Sequence, residues 1–197
     1  MTALDFAPQR YLLPLFGMSD DKPTRATQLS VTTCSIEVAR QCNKDWHSRL
    51  PHTQKGPWKI AFCASYNDVI YGVALWHNPS ARTLPQSWLE LRRLAIAPDA
   101  PHCAASFMLA RMAKWIKANM PEVDRLISYQ DMDVHKGTIY KAAGWRVGHT
   151  SVARVRDRSK PRRGTHRAYR SNANGIAPDS SPKIRWELQI QEKPQGH

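Results

Sequence analysis

Two strand-like runs joined by a two-residue turn constrain the fold of this 197-residue chain more than any other feature. Residues Trp58–Tyr66 and Val69–His77 are rich in β-branched and aromatic side chains, and Asn67-Asp68 between them suits a tight hairpin turn. A third apolar run covers Trp88–Ala97. Three such runs predict a sheet, and the second is apolar enough to lie at its centre.

Helical patterns alternate with these strands. We expect a first strand near Thr27–Thr32 and then a helix over Ser35–His47, with Thr33 or Ser35 as its N-cap. A longer amphipathic helix should begin after the turn at 99–106 and end at Asn119.

The stretch 126–145 places polar side chains at the end of an apolar strand. Leu126, Ile127 and Tyr129 suit a buried strand, and the turn residues that follow include Asp131. A short helix should then end at Gly144, where a left-handed C-cap is favoured. Because open α/β sheets place their sites at the carboxyl ends of strands, this crowding of polar groups indicates a functional site.

Two further strands complete the expected elements. They cover Arg146–Val155 and Lys183–Ile190, and the strict alternation of the second predicts a half-buried or edge strand. The order of elements predicts an α/β fold, a single domain with a mixed central sheet flanked by helices. It resembles the running order of GNAT-type acyltransferases. The resemblance implies a GNAT-like catalytic domain over 27–152, after an N-terminal arm (1–26) and before a basic flexible segment (153–182), a closing strand and a tail (183–197).

The charge of the chain indicates a polyanionic partner. Its net charge is +13 and its isoelectric point is near 10, which favours nucleic acid over basicity that serves solubility alone. Phosphates could follow a stripe on the long helix and the dense basic C-terminal extension. The candidate DNA-binding residues are Arg111, Lys114 and Lys117 on the helix and Arg154, Arg156, Arg158, Arg162 and Arg163 in the extension.

Cysteine spacing and hydropathy limit the class of protein. Cys34, Cys42, Cys63 and Cys103 form no CxxC pair, and we interpret them as reduced core residues of a cytosolic protein. The apolar run near the N-terminus is too short and too proline-broken for a signal peptide, and no run could span a membrane. We therefore expect a soluble protein of the cytoplasm.

The turn before the long helix argues against an ordinary coenzyme A site. In GNAT-type enzymes this turn is glycine-rich, so that backbone N–H groups cradle a pyrophosphate at the helix N-terminus. Here residues 98–106 contain no glycine, two prolines and Asp99. His102 and Ser106 are the remaining candidates for binding a group donor there.

Four motifs resemble a more specific family, the Mom proteins of bacteriophages. They are Leu89-Glu-Leu-Arg-Arg-Leu94, Ile127-Ser-Tyr-x-Asp131, His135-x-Gly-Thr-Ile-Tyr-x-Ala-Ala-Gly-Trp145 and His47-Ser-Arg-Leu-Pro51, within a resemblance over about residues 35–148. The resemblance implies a DNA-modifying transferase that converts adenine to an N6-acetamido (carbamoylmethyl) derivative and so protects phage DNA from host restriction enzymes. It implies double-stranded DNA as partner, the host cytoplasm as location, and either an aminoacyl-tRNA carrying glycine or an acyl-CoA as donor.

Such chemistry assigns roles to particular side chains. The exocyclic amine of adenine is a poor nucleophile, so an enzyme must extrude the base and remove a proton as the bond forms. Asp131 is the candidate for that proton, although it could equally cap the following helix. Ser128 could hydrogen-bond the reacting carbonyl or act as nucleophile, Tyr140 could protonate the leaving group, and His47 is a second acid–base candidate. Arg93 would meet an anionic donor or an oxyanion.

Several alternatives remain open at this point. Arg92 and Arg93 are neighbours on a strand, so alternation predicts that only one faces the site. Arg49 at the end of the first helix is a further DNA-binding candidate. His47, Asp131 and His135 are metal-ligand types, but their spacing supports no metal site. The other functions considered are an acyl-CoA-dependent N-acyltransferase acting on a small amine or protein lysine, and a DNA-binding protein without enzymatic activity.

Overall fold

The computed structural model describes residues 21–48, 50–53, 56–152 and 181–191. A 3-10 turn at Ala26–Gln28 precedes the regular elements. In chain order these are β1 (Ser30–Thr33), α1 (Ile36–Trp46), β2 (Ile60–Tyr66), β3 (Val69–His77), β4 (Trp88–Ile96), α2 (Ala104–Asn119), β5 (Arg125–Asp131), α3 (Thr138–Ala142), β6 (Arg146–Ser151) and β7 (Lys183–Gln189).

The seven strands form one mixed sheet in the order β1-β2-β3-β4-β5-β7-β6. Neighbouring strands are antiparallel except β4 and β5, which run parallel because α2 connects them by a crossover. The helices cover both faces. Helix α1 packs with Ala39 and Cys42 against one face, and α2 packs with Met108 and Met112 against the other. The predicted α/β fold, a mixed sheet flanked by helices, is confirmed.

Local sequence signals account for the first elements. Asn67 and Asp68 adopt positive φ values of 45° and 62°, which the hairpin turn between β2 and β3 requires. The Ser35 hydroxyl accepts a hydrogen bond from the Val38 N–H and so caps α1, whereas Thr33, the other predicted cap, belongs to β1. The hairpin and the first helix therefore form as their sequences indicate.

Four expectations need correction. The strand expected at Thr27–Thr32 starts only at Ser30, because the 3-10 turn occupies the preceding residues. The β6 strand ends at Ser151, before Val155. Helix α2 starts at Ala104, within the stretch that was expected to form the turn before it. Strand β7 is half-buried, which is one of its two predicted alternatives, and lies between β5 and β6. All four cysteines are free, yet Cys103 is exposed at the start of α2 and is not a core residue.

Some predicted segments lie partly outside the described residues. The N-terminal arm is described only from residue 21, the basic segment only at 181–182, and the closing tail only to 191. Arg49, Arg154, Arg156, Arg158, Arg162 and Arg163 all lie outside. No helix within the described ranges is long and apolar enough to cross a membrane.

Candidate active site

A cleft opens where β4 and β5 separate. Their parallel pairing ends at Leu91 opposite Ser128, although β4 continues to Ile96 and β5 to Asp131. A cavity of about 650 Å³ lies there. It is lined by the end of α1 and the residues after it (Trp46, His47, Ser48, Leu50), by β4 (residues 91–96), by β5 and the turn to α3 (128–131 and 135–137), by α3 (138–140) and by Lys183 of β7.

Two neighbouring arginines line this cavity at a β-bulge. Leu75 pairs with Arg93 but the next residue of β3 pairs with Leu91, so Arg92 is an extra residue on β4. A bulge suspends the alternation of side chains, and both Arg92 and Arg93 line the cavity. Residues 91 to 96 all contribute to the cavity wall, so the expectation that only one of the two arginine side chains faces the site stays a prediction.

The two arginines have different partners. Arg92 donates to the carboxylate of Glu90 at 3.1 Å, and Glu90 is only 1% exposed, so this ion pair neutralises a buried charge. Arg93 donates to the Arg92 carbonyl at 2.8 Å but makes no ion pair within the described part of the chain, and its buried Nε has no partner there. Burial and the adjacent Arg92 both lower the pKa of Arg93. The Arg93 guanidinium is therefore suited to bind an anion or a polarised carbonyl.

Two hydroxyl groups meet at the base of the cleft. Ser128 on β5 and Tyr140 on α3 have their oxygens 2.9 Å apart, and Ser128 also lies 3.3 Å from the carbonyl oxygen of Leu91 as a donor. Each hydroxyl has one proton, and either can be the donor in the pair. When Ser128 donates to Tyr140, the phenol proton is available to a group in the cavity.

Aromatic packing fixes the position of Tyr140. Its ring stacks on Trp186 with centroids 5.5 Å apart, and its centroid lies 5.7 Å from that of the buried Trp145 ring. Burial raises the pKa of Tyr140 above its ordinary value, and the hydrogen bond with Ser128 offsets part of that rise. Tyr140 is therefore a protonated donor at neutral pH.

Asp131 sits where β5 ends, on the cavity wall. One carboxylate oxygen accepts the Asp133 N–H at 3.1 Å, and the Asp131 carbonyl accepts the N–H groups of Val134 and His135. This is an Asx-type turn after β5, and the alternative that Asp131 caps the following helix is wrong. The N-cap of α3 is Gly137.

A buried glutamine holds the turn between Asp131 and α3. The Gln130 side chain accepts the Trp186 indole N–H at 2.7 Å and donates to the carbonyl of His135. Gly137 packs against the Gln130 side chain and the Trp186 ring and has a φ of 70°. The close contact and the left-handed conformation both exclude a side chain at this position. The turn is thereby fixed relative to β5 and β7.

His47 approaches the cavity from the C-cap of α1. Its Nδ1 accepts the Leu50 N–H at 3.2 Å, which places the proton of the neutral ring on Nε2. If Nδ1 of His47 were to act as a base, the hydrogen bond from the Leu50 N–H would have to break.

The predicted donor-binding pair lies elsewhere. Neither His102 nor Ser106 lines the cavity; His102 Nδ1 lies 2.9 Å from the thiol of Cys103, and the Ser106 hydroxyl donates to the Cys103 carbonyl. Cys103, with a φ of 66°, is the N-cap of α2.

The β4–α2 turn does not fit the pyrophosphate of coenzyme A. Pro98 and Pro101 provide no N–H groups, and the N–H groups of Ala100 and Ala104 already donate to carbonyls within the turn. Asp99 adds a negative charge and forms an ion pair with Lys22 at 3.3 Å. Among the described residues this turn offers no glycine cradle for a phosphate.

The basic stripe of α2 is exposed but separate from the cavity. Arg111, Lys114 and Lys117 face solvent, none of them lines the cavity, and the Arg111 guanidinium lies over the Phe107 ring at 5.0 Å. No group of three His, Cys, Asp or Glu residues in the described ranges is placed to hold a metal ion.

Several lining residues were missed by the sequence analysis. Tyr129 is 39% exposed at the cavity, Trp46 lines it from α1, and Lys136 and Lys183 contribute positive charge. Tyr129 was interpreted as a buried strand residue. Its position beside Ser128 and Asp131 in the Ser-Tyr-x-Asp motif was the available signal, whereas the approach of Lys183 depends on β7 pairing beside β5.

Comparison with solved structures identifies the fold. The ribosomal-protein-S18-alanine N-acetyltransferase from Escherichia coli is similar with a TM-score of 0.54 and 10% identity, over 86% of this chain and 98% of that one. Spermidine N-acetyltransferase from Vibrio cholerae is similar with a TM-score of 0.55 and 10% identity, over 83% and 96% of the two chains. The protein has the fold of the GNAT acetyltransferases, as its order of elements predicted.

The sequence identifies the family within that fold. The Mom protein family matches residues 67–188, which is more than half of the chain. The chain therefore belongs to the Mom protein family, and the resemblance found from its motifs is confirmed. No curated protein sequence matches the chain.

Proposed function

We propose that this protein is a DNA-modifying transferase that adds an acetamido-type group to N6 of adenine, with the adenine extruded from duplex DNA into the cleft between β4 and β5. In a phage this modification protects the DNA from host restriction enzymes. Membership of the Mom family supports the proposal, and so does the GNAT fold, whose named members above are N-acetyltransferases.

One observation carries the proposal: a carboxylate and a pair of hydroxyl groups meet in a cavity whose other charges are positive. Asp131, Ser128 and Tyr140 all line it. The only other charged lining residues in the described ranges are Arg92, Arg93, Lys136 and Lys183. Arg92 is paired with Glu90, so Arg93, Lys136 and Lys183 supply the net positive charge of the lining, which suits a polyanionic substrate.

Asp131 is proposed to take the proton from the adenine amine. The lone pair of N6 is delocalised into the ring, so the amine gains nucleophilicity only as its proton leaves. A carboxylate at the end of β5 can accept that proton and orient the amine by a hydrogen bond. Its turn with Asp133 fixes the carboxylate in place.

Tyr140 is proposed to protonate the leaving group of the donor. Its raised pKa keeps the phenol protonated, and Ser128 can donate to the phenol oxygen so that the phenol proton points into the cavity. Arg93, which has a buried unpartnered Nε, would stabilise negative charge on the reacting carbonyl. The reacting carbonyl of the donor would then lie beside β4, and the Asp131 carboxylate would face it from the end of β5.

The part of the cavity beside Tyr129 and Asp131 suits an adenine extruded from the duplex. Tyr129 offers an exposed aromatic face beside Asp131, and aromatic stacking is a general means of holding an extruded base.

The donor is proposed to be an aminoacyl-tRNA carrying glycine, because the β4–α2 turn has no glycine cradle for the pyrophosphate of an acyl-CoA. Attack of N6 on the ester carbonyl forms an N6–C(=O) bond, breaks the ester bond and releases the tRNA hydroxyl, so the first product carries a glycyl amide at N6. The N6-acetamido (carbamoylmethyl) form has the same atoms, and an intramolecular rearrangement converts one into the other. A tRNA would also match the positive charge of the chain.

Nucleoside mass spectrometry of plasmid DNA from cells that express the protein tests the proposal. We compare wild type with Asp131→Asn, since asparagine can still accept the Asp133 N–H and keep the turn but cannot take a proton. Wild-type protein should produce a new adenosine species, and Asp131→Asn should lower it by about 100-fold or more.

Asp133→Asn is the matched control. Asp133 lies on the same turn, is exposed and does not line the cavity, so this variant should modify DNA like wild type. If Asp131→Asn and Asp133→Asn lower the modification equally, the negative charge of the turn is responsible and Asp131 does not act as a base. Unmodified DNA in the presence of folded wild-type protein would contradict the proposal as a whole.

A further inference from the structure

The turn between β5 and α3 carries two apolar side chains at the rim of the cavity. Asp131 begins the turn, His135 and Lys136 end it, and all three line the cavity. Met132 and Val134, at the apex between them, do not line it and are 44% and 39% exposed. The apex thus places two apolar groups in solvent directly beside the opening.

The backbone of this turn is held firmly. The Met132 N–H donates to the carbonyl of Pro182 at 3.1 Å, which ties the apex to the residue before β7. The N–H groups of Val134 and His135 both donate to the Asp131 carbonyl. Met132 and Val134 are therefore presented at a fixed place relative to the catalytic carboxylate, and the turn cannot fold them inwards without losing these bonds.

Positive charge flanks the same turn. Lys136 lies two residues after Val134, and Lys183 lies opposite Asp131 in the register of β7 and β5. Both lysines line the cavity. The exposed apolar apex therefore has one cation on each side. This arrangement is expected where basic side chains bind a phosphate backbone and apolar side chains insert between bases.

We propose that Met132 and Val134 enter the base stack of duplex DNA and fill the gap that the extruded adenine leaves. This inference rests on the proposed function. It adds the residues that allow the protein to modify duplex DNA as well as single-stranded DNA. Extrusion leaves the neighbouring bases unstacked, and apolar side chains inserted between base steps compensate for that loss. The apex lies next to the carboxylate that receives the extruded base, so insertion and capture would be coupled.

The test separates extrusion from chemistry by using two forms of the same DNA. Purified protein is mixed with an extract of cells that lack it, as the source of donor, and with either duplex plasmid or circular single-stranded DNA of the same sequence. Met132→Ala/Val134→Ala should modify duplex DNA at least about tenfold more slowly than wild type, because duplex modification needs the insertion. On single-stranded DNA, which needs no extrusion, its rate should stay within about twofold of wild type.

Val147→Ala/Val152→Ala is the matched control. These valines are 52% and 77% exposed, in β6 and directly after it, and neither lines the cavity. The control variant should modify both DNA forms like wild type. Thermal unfolding of each variant establishes that the substitutions leave the fold intact.

A second readout needs no donor. Duplex oligonucleotides that contain 2-aminopurine in place of adenine become more fluorescent when the base leaves the stack. Wild type and the control variant should raise the fluorescence, and Met132→Ala/Val134→Ala should not.

Three outcomes would overturn the inference. If the apex variant modifies duplex DNA at the wild-type rate, the apex is not inserted. If both DNA forms lose modification equally, the two residues serve the cavity or a protein partner instead. If wild type modifies neither DNA form, the proposed function fails first and the inference fails with it, and this result is distinct from the other two.

Discussion

The hydroxyl of Ser128 lies 2.9 Å from the phenol oxygen of Tyr140, and the two residues come from different elements, β5 and α3. The Leu91 carbonyl gives Ser128 a second acceptor at 3.3 Å. The pair therefore has two proton arrangements, one with the phenol proton directed to Ser128 and one with it directed to the cavity. Proton donation to a leaving group requires the second, in which Ser128 gives up its hydrogen bond to the Leu91 carbonyl and donates to the phenol oxygen.

Tyr140→Phe should lower the rate of DNA modification by about 100-fold. The substitution removes the phenol proton but keeps the ring that stacks on Trp186. The free energy of unfolding should fall by only about 1 kcal/mol, the net value of one hydrogen bond. Modified nucleoside measured over time, together with chemical unfolding, checks both values; a fully active Tyr140→Phe would remove Tyr140 from the mechanism.

The pH dependence of the same reaction provides a check on the raised pKa of Tyr140. A proton donor is lost as pH rises through its folded-state pKa, and burial places that pKa above the ordinary value for tyrosine of about 10. Activity should therefore show no loss from this group up to about pH 9.5. Ser128→Ala removes the hydrogen bond that lowers the pKa and should move the alkaline loss higher still. A fall centred near pH 8 that disappears in Tyr140→Phe would contradict this assignment.

Gly137→Ala should destabilise the protein and abolish modification. A Cβ at Gly137 would lie 2.7 Å from the Trp186 ring and would also contact the Gln130 amide, and a left-handed φ adds strain. We expect a loss of about 2–5 kcal/mol in the free energy of unfolding, from strain and overpacking together.

Gly144→Ala is the comparison that isolates the overpacking. Gly144 has a similar φ of 77°, but a Cβ there meets nothing within 4 Å. Its cost should be the strain alone, about 1–2 kcal/mol. Equal losses in the two variants, measured by urea unfolding, would show that the contact with Gln130 and Trp186 has no effect.

Coenzyme A should not bind tightly to this protein. The β4–α2 turn has no glycine cradle, Pro98 and Pro101 provide no N–H groups, and Asp99 would repel a pyrophosphate. Isothermal titration calorimetry should show no saturable heat up to about 1 mM coenzyme A, so that the binding free energy is weaker than about −4 kcal/mol. Tight binding would support an acyl-CoA donor and a conventional N-acyltransferase.

The basic C-terminal extension should contribute to DNA affinity more than the exposed stripe of α2. Replacing Arg158, Arg162 and Arg163 by alanine should reduce the slope of log affinity against log salt by about 2–3, since each lost phosphate contact contributes about 0.9. These arginines lie outside the described residues, so the prediction rests on the sequence. Replacing Arg111, Lys114 and Lys117 should change the slope less, because they do not border the cavity. Titrations at several salt concentrations compare the two sets.

Most of the fold followed from local sequence patterns. The hairpin turn at Asn67-Asp68, the Ser35 cap and the apolar runs of β2, β3 and β4 are all short-range signals, and each element formed where its residues indicated. The position of β7 was not predictable in the same way. Its pairing between β5 and β6 depends on contacts distant in sequence, and its alternating pattern suits an edge as well as an interior position.

The site was predicted less completely, for a physical reason that Arg92 and Arg93 illustrate. Strand alternation sends neighbours to opposite faces, whereas the bulge between β3 and β4 suspends that alternation at Arg92. The separation of β4 from β5 beyond Ser128 similarly exists only in three dimensions. Residues near each other in sequence, such as Ser128, Asp131 and Tyr140, could be grouped in advance. Lys183 and Trp46 could not, since other elements bring them to the cavity.

The identity of the modified base is the most direct test of this account. Plasmid DNA from cells that express the wild-type protein is digested to nucleosides and compared by mass spectrometry with DNA from cells that lack it. The account predicts one new species that fragments to a modified adenine, with the other three nucleosides unchanged. A modification on cytosine, guanine or thymine, or four unmodified nucleosides beside folded protein, would contradict it.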